Sequence, residues 1–168
     1  KVCKTKGKVV HLEKKVQESI TSNGSIGIGH TRWATHGEPN DVNSHPHLSN
    51  SGNLAIIHNG IIENYDALRK ELKKRGYTFQ SDTDTEVLVN LIEDVIKNEG
   101  VKLGKAVQIA LNQTVGAYAI AVFDKRKPDE IVVARLGSPL AIGIGDNEYF
   151  IASDAYPFIA YTNNAIYL

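Results

Sequence analysis

The sequence predicts a layered α+β fold, with helices packed against a mostly antiparallel sheet, and two observations carry that expectation. A strand-like run over 54–58 is followed by three segments of helical spacing, and beyond residue 116 the apolar period becomes strand-like. The later runs, 117–124, 131–135, 140–144 and 149–152, are short and divided by Pro128-Asp129, Gly137-Ser138-Pro139 and Gly145-Asp146-Asn147. Short apolar runs broken by such turn residues predict an antiparallel meander. Spacing alone leaves the topology open.

Taken in order, Val9–Ser19 has weak helical spacing. Residues 25–33 read as a short strand, with Gly27 and Gly29 where backbone can approach a neighbour. The stretch 38–53 is polar, carries Pro39, Pro46 and Gly52, and predicts a long ordered loop or lid. Such loops are disproportionately functional. A buried strand over 54–58 then ends at Asn59-Gly60. Leu68 and Leu72 share one face of a helix over 65–75, which Gly76 closes. Thr83 and Glu86 have the spacing of a capping box at the head of a helix running to about Asn98. Its residues Val87, Leu88, Leu91, Ile92 and Val95 form a surface wide enough to pack between layers. A third helix covers about 102–112.

A length of 168 residues suits one domain. The 19 basic and 19 acidic residues cancel, so charge gives no argument for nucleic acid or an anionic membrane as partner. No apolar run approaches the roughly 18 residues needed to cross a bilayer, and the first residues lack the apolar stretch of a signal peptide. The single cysteine precludes an internal disulfide and fits a reducing compartment, so the expected location is the cytoplasm. The chain opens on Lys1, has no methionine and closes on a strand-like AIYL. That pattern is expected of a piece of a longer protein.

Two groups of residues can carry chemistry. His36, His45, His47 and His58 crowd in and around the polar stretch. His45 and His47 can supply two metal ligands, but no cysteine or HExxH pair completes a set. Hydrogen bonding within the loop is therefore the expected role, with no metal. The second group is Arg32, Thr35, His36, Asn59, Gly60 and Asp84. Arginine binds a carboxylate through a planar fork of donors. A carboxylate such as Asp84 can hold an ammonium, and its place near a helix start favours its charge. The Asn59 amide and Gly60 N–H suit an oxyanion. On spacing alone, plainer alternatives stand: Arg32 in a surface ion pair, Asn59-Gly60 as a type I′ turn, and Asp84 as a second-best helix cap.

The segments GHTRWATHGEPN, NSHPH, HNGIIENY, GYTFQSDTDTEV, GAYAIAVFD, ARLGSPLAIG and FIASD occur in that order. Together, from about residue 25 to 152 and beyond, they resemble the glutaminase domain of the glutamine–fructose-6-phosphate aminotransferases. RWATHG with HPH separates this resemblance from the phosphoribosylpyrophosphate amidotransferases and the asparagine synthetases. It implies an N-terminal nucleophile fold, an αββα sandwich of four layers, here truncated at its N-terminus. Residues 1–168 would form a partial class II glutamine amidotransferase domain without the C-terminal sugar-isomerase domains.

By the same resemblance, Arg32 binds the glutamine α-carboxylate with help from Thr35 and His36, and Asp84 holds the α-ammonium. Asn59 and Gly60 form the oxyanion hole. Trp33 belongs to a closing loop that excludes water and gates ammonia, and His45 and His47 organise that loop. The parent would be a homo-oligomer that hydrolyses glutamine and passes ammonia to fructose 6-phosphate, giving glucosamine 6-phosphate. No metal or organic cofactor is implied for the glutaminase step.

The resemblance also implies a nucleophilic cysteine at a mature N-terminus, whose own α-amine serves as base. Cys3 does not fit that role, because Lys-Thr-Lys follows it rather than Gly-Ile and its amine lies in a peptide bond. The nucleophile is therefore expected to be missing from this chain and the chain inactive. Its sheet would be short of strands, with exposed faces prone to self-association. Two rival readings remain: an N-terminal nucleophile amidotransferase with another acceptor, and a domain that binds an amino acid without turnover.

Overall fold

A computed structural model describes residues 1–19, 24–32 and 38–168. Helix α1 (Val9–Ser19) forms where the weak spacing predicts it, yet buries none of its residues. Residues 24–32 run on without strand pairing, so the strand expected over 25–33 is not formed in its described part. A Cβ at Gly27 or Gly29 would meet nothing within 4 Å. These glycines leave room; they do not admit a close neighbour.

The polar stretch carries a two-residue strand, β1 (His47–Leu48), antiparallel to β2 (Leu54–Ile62). Side chains of helix α3 (Asp84–Glu99) hold this loop in place. The Ser49 hydroxyl donates to Glu93 at 2.7 Å, Ser51 donates to the same carboxylate, and the Asn50 N–H donates to Asn90 at 2.7 Å. Burial raises the Glu93 pKa, but Ser51, Ser49 and Lys97 together outweigh it and hold the group below its ordinary value.

Strand β2 does not end at Asn59-Gly60 but passes through the pair to Ile62, so no type I′ turn forms there. Gly60 lies opposite Tyr118 in the ladder to β3 (Gly116–Asp124), with φ of 121°. A Cβ at Gly60 would sit 2.1 Å from the Ala117 carbonyl oxygen. Glycine accepts both the backbone angle and the contact, and the strand continues for that reason.

The later strands divide where one meander was expected. β4 (Val132–Leu136) pairs with β3 and completes a sheet of order β1-β2-β3-β4. β5 (Ala141–Ile144), β6 (Tyr149–Ala152) and β7 (Ala165–Tyr167) form a second antiparallel sheet of order β6-β5-β7. The division falls at Gly137-Ser138-Pro139. Gly137 has φ of 79°, and Pro139 has no N–H to extend a ladder. The closing AIYL run forms β7, as its pattern suggests.

Helices α2 (Tyr65–Lys74) and α4 (Leu103–Leu111) flank α3, which packs on β2. Residues Asp84 to Val95 of α3 are all buried, the layer packing that its wide apolar surface predicts. Leu88 and Ile92 join Leu54, Ile56 and Ile62 of β2 and Ile120 and Val122 of β3 in one core. The architecture is α+β, a helix layer with two antiparallel sheets.

Only half of the expected capping box exists. The Thr83 hydroxyl accepts from the Glu86 N–H at 3.3 Å. The Glu86 carboxylate instead accepts from the Gln80 and Ser81 N–H groups and the Ser81 hydroxyl. The Thr83 N–H goes to Ser81 Oγ at 3.3 Å. Ser81 thus stands in for both reciprocal partners, and Gly100 closes the helix in the left-handed region.

Candidate functional site

Arg32, Asn59, Gly60 and Asp84 line one cavity of about 260 Å³. They come from three places: the unpaired segment 24–32, the outer end of β2 and the first turn of α3. Trp33, Thr35 and His36 lie outside the described residues.

Asp84 is 4% exposed, and its burial is compensated. Its Oδ2 accepts from the Ile62 backbone N–H at 2.8 Å, and the Thr85 hydroxyl donates to Oδ1 at 3.4 Å. The start of α3, with its unsatisfied N–H groups, adds a favourable field. His58 Nδ1 lies 3.8 Å from Oδ2 and 3.0 Å from the Thr85 hydroxyl. These contacts fix the carboxylate at the cavity wall.

Arg32 is partly buried and donates from Nη1 to the Glu38 carbonyl at 3.3 Å. Asn59 and Gly60 are exposed on β2 and line the cavity rather than the core. Oδ1 of Asn59 lies 2.8 Å from His30 Nε2. His30 is not among the residues the sequence singles out. Its place two residues before Arg32, the same-side position in an extended segment, is the signal that points to it.

His30 belongs to a row of rings. Its centroid is 4.1 Å from that of His45, and His45 meets His47 edge-on at 5.0 Å. His47 Nε2 is 3.2 Å from the Thr83 hydroxyl, which ties the polar loop to the cap of α3. Burial, then the neighbouring basic side chains, push His45 down to about 2. Burial and Lys4 push His47 down to about 3 against a hydrogen bond to the Asn43 backbone. Among the described residues no three His, Cys, Asp or Glu side chains group as metal ligands.

The unfolded chain takes up a proton at His47 below the ordinary value of 6.5, whereas the folded chain does so only near 3. This contribution is fully present above pH 6.5 and is lost as pH falls through that window. The slope is about 1.4 kcal/mol per pH unit. Denaturant melts between pH 7 and 4 should show the decline, and His47→Gln should flatten it by one proton. An unchanged slope in the variant would assign the loss to other groups.

Cys3 is partly buried and borders a neighbouring cavity of about 190 Å³ with His30, Arg32 and His45. It is not among the residues lining the cavity of Asn59, Gly60 and Asp84.

Comparison with known proteins bears on this geometry. A family model described as a glutamine amidotransferase domain matches residues 15–166. The glutamine–fructose-6-phosphate aminotransferase of Bacteroides thetaiotaomicron is 58% identical over 167 residues, covering 99% of this chain and 27% of that protein. The Chlorobaculum tepidum protein of the same name is 54% identical over 171 residues, covering 100% of this chain and 28% of that protein. The chain thus spans about a quarter of the length of the curated relatives it matches. Among solved structures, a glutamine phosphoribosylpyrophosphate amidotransferase from B. subtilis, complexed with ADP and GMP, matches with a TM-score of 0.65 at 31% identity. It covers 83% of this chain and 29% of that one.

Proposed function

The chain belongs to the glutamine amidotransferase domain family, and we propose that it is the glutaminase portion of a glutamine–fructose-6-phosphate aminotransferase, supplying ammonia for glucosamine 6-phosphate synthesis. The observation that carries this reading is the convergence of Arg32, Asn59, Gly60 and Asp84 on one cavity. Those groups complement an α-amino acid whose side chain ends in an amide. The high identity to aminotransferases of that name favours fructose 6-phosphate over other acceptors.

In this reading Arg32 takes the α-carboxylate through its guanidinium fork, with Thr35 and His36 assisting. Asp84, anchored on the Ile62 N–H, takes the α-ammonium. With both ends fixed, the side-chain amide extends to Asn59 and Gly60. A thiolate attacks the amide carbon, and the carbonyl electron pair moves onto oxygen, where the Asn59 amide and Gly60 N–H donate to it. The proton removed from the thiol passes to the amide nitrogen, and collapse expels it as ammonia and leaves a thioester. Water hydrolyses the thioester to glutamate and returns the thiol. Trp33 closes over the substrate and gates the ammonia. Cys3 is not assigned the attack, since its amine lies in a peptide bond and it borders the neighbouring cavity.

No metal or organic cofactor enters this step, and a cytoplasmic homo-oligomer is the accompanying proposal for the whole protein. None of the described helices is long and apolar enough to cross a membrane.

The full-length gene product, given glutamine and fructose 6-phosphate, should form glutamate and glucosamine 6-phosphate in equal amounts. Glutamate release that ignores the sugar phosphate would point to another acceptor, and glutamine binding without turnover would point to a sensor. Residues 1–168 alone should release no glutamate above buffer. Release abolished by alkylating Cys3 would reassign the nucleophile to that residue.

A further inference from the structure

The Asn59 amide has two unlike ends, an oxygen that repels an oxyanion and an NH₂ group that donates to one. Rotation of the side chain exchanges them, and a position on the exposed end of β2 does not by itself favour either. The neighbour that decides is His30, whose Nε2 lies 2.8 Å from Asn59 Oδ1. Oδ1 carries no hydrogen, so the proton of this bond sits on Nε2. We propose that His30 is a positioning residue for glutamine hydrolysis: its Nε2–H holds Asn59 Oδ1 and thereby turns the Asn59 NH₂ toward the oxyanion. The proposal rests on the reading of Asn59 as an oxyanion donor.

The alternative tautomer would reverse the arrangement. With the proton on Nδ1, Nε2 becomes an acceptor and draws the Asn59 NH₂ to itself, leaving Oδ1 to face the developing negative charge. The site thus depends on which ring nitrogen is protonated: Nε2 faces Asn59 Oδ1 at 2.8 Å, whereas Nδ1 is buried with no hydrogen-bond partner among the described residues. Burial holds the His30 pKa below its ordinary value, and Arg32 acts the same way against the Asn59 and His58 acceptors. Both effects disfavour a second ring proton, and the acceptor facing Nε2 is Asn59. His45 braces the ring from behind at 4.1 Å, His47 braces His45, and Thr83 anchors His47. A line of contacts thus runs from the cap of α3 to the Asn59 amide, which gives the crowded histidines a role that needs no metal.

His30 acts through Asn59, so its loss should appear in turnover more than in substrate binding. In the full-length gene product, His30→Ala should lower kcat for glutamine hydrolysis about 10- to 100-fold, short of the full loss of an oxyanion donor. KM should change less than about twofold, since Arg32 and Asp84 still hold the substrate. His30→Gln, which keeps an N–H donor, should recover part of kcat. His30→Leu, which keeps volume alone, should not. Leucine rescue without glutamine rescue would overturn the proposal in favour of packing.

A double-mutant cycle separates the proposal from the reading beneath it. Once Asn59 is alanine, removing His30 as well should cost nothing further. Additive losses would overturn the His30 role while leaving Asn59 in the oxyanion hole. An Asn59→Ala enzyme with wild-type kcat would overturn the reading of the site itself. Nitrogen NMR of the unsubstituted, histidine-labelled protein keeps the test available if the variants fail to fold. It should show His30 as the neutral Nε2–H tautomer, and an Nδ1–H signal would overturn the proposal.

Discussion

Replacing Asn59 with alanine in the full-length gene product should lower kcat for glutamine hydrolysis about 10²- to 10³-fold, roughly 2.7–4 kcal/mol of lost transition-state stabilisation. The reason is geometric. Asn59 stands on the exposed end of β2, its oxygen is engaged by His30, and its remaining donors have the cavity to serve. Glutamine binding should change little, because the roles proposed for Arg32 and Asp84 place them at the opposite end of the substrate. Nor should the fold suffer much, since the side chain is outside the core. Initial rates over a range of glutamine concentrations separate the two effects. A raised KM with kcat unchanged would mean that Asn59 binds the ground state.

Gly60→Ala is the contrasting case, in which the neighbouring residue of the same site fails through the fold. The added Cβ would lie 2.1 Å from the Ala117 carbonyl oxygen, 2.8 Å from its carbon and 3.0 Å from the Tyr118 Cα. All three are backbone atoms, so no side chain can swing aside, and β2 must part from β3 locally. The φ of 121° costs roughly 1–3 kcal/mol for a residue with a side chain. Each ladder hydrogen bond lost adds about 1 kcal/mol. A total of roughly 3–5 kcal/mol should lower the melting midpoint by about 10 °C or more for a chain of this size. Calorimetry on residues 1–168 checks this, and a midpoint within about 2 °C of the parent would refute the steric account. Gly116 faces the same obstacle from the other strand, 2.1 Å from the Ile61 carbonyl oxygen with φ of 124°.

These glycines show what the sequence could and could not disclose. Helices α2, α3 and α4 were legible because their information is local: apolar residues at helical spacing, a cap at Thr83 and a stop at Gly76. Asn59-Gly60 misleads because its local preference is for a turn. What carries the strand through is the close approach of β3, a partner more than fifty residues later in the chain. The division of the later strands into two sheets was hidden for the same reason, since a run's period does not name its partner. Residues 25–33 have strand composition but no partner within their described part, and composition alone does not make a ladder.

The site was legible to a different degree. Arg32, Asn59, Gly60 and Asp84 stand out through ordered motifs, whereas spacing alone left a plainer explanation for each. The structure brings those four to one cavity. His30 escaped notice because its significance lies in a contact with Asn59 from another element, which no local pattern encodes. The half-formed capping box is a smaller instance. Glu86 has the right spacing for Thr83, but Ser81 offers its carboxylate a nearer set of donors.

That diverted carboxylate bears on the order in which the site is assembled. Thr83, Ser81 and Glu86 lie within six residues, so their knot at the head of α3 closes through local contacts as the helix nucleates. Asp84 gains its anchor only when Ile62 of β2 arrives. The Gly60–Tyr118 pairing must wait for two remote strands to meet, a step slowed by the entropy of the intervening loop. Contact order thus favours the head of α3 forming before the Gly60–Tyr118 pairing. A chain halted before β3 pairs would carry the head of α3 while lacking the strand geometry that places Asn59 and Gly60 in their proposed roles.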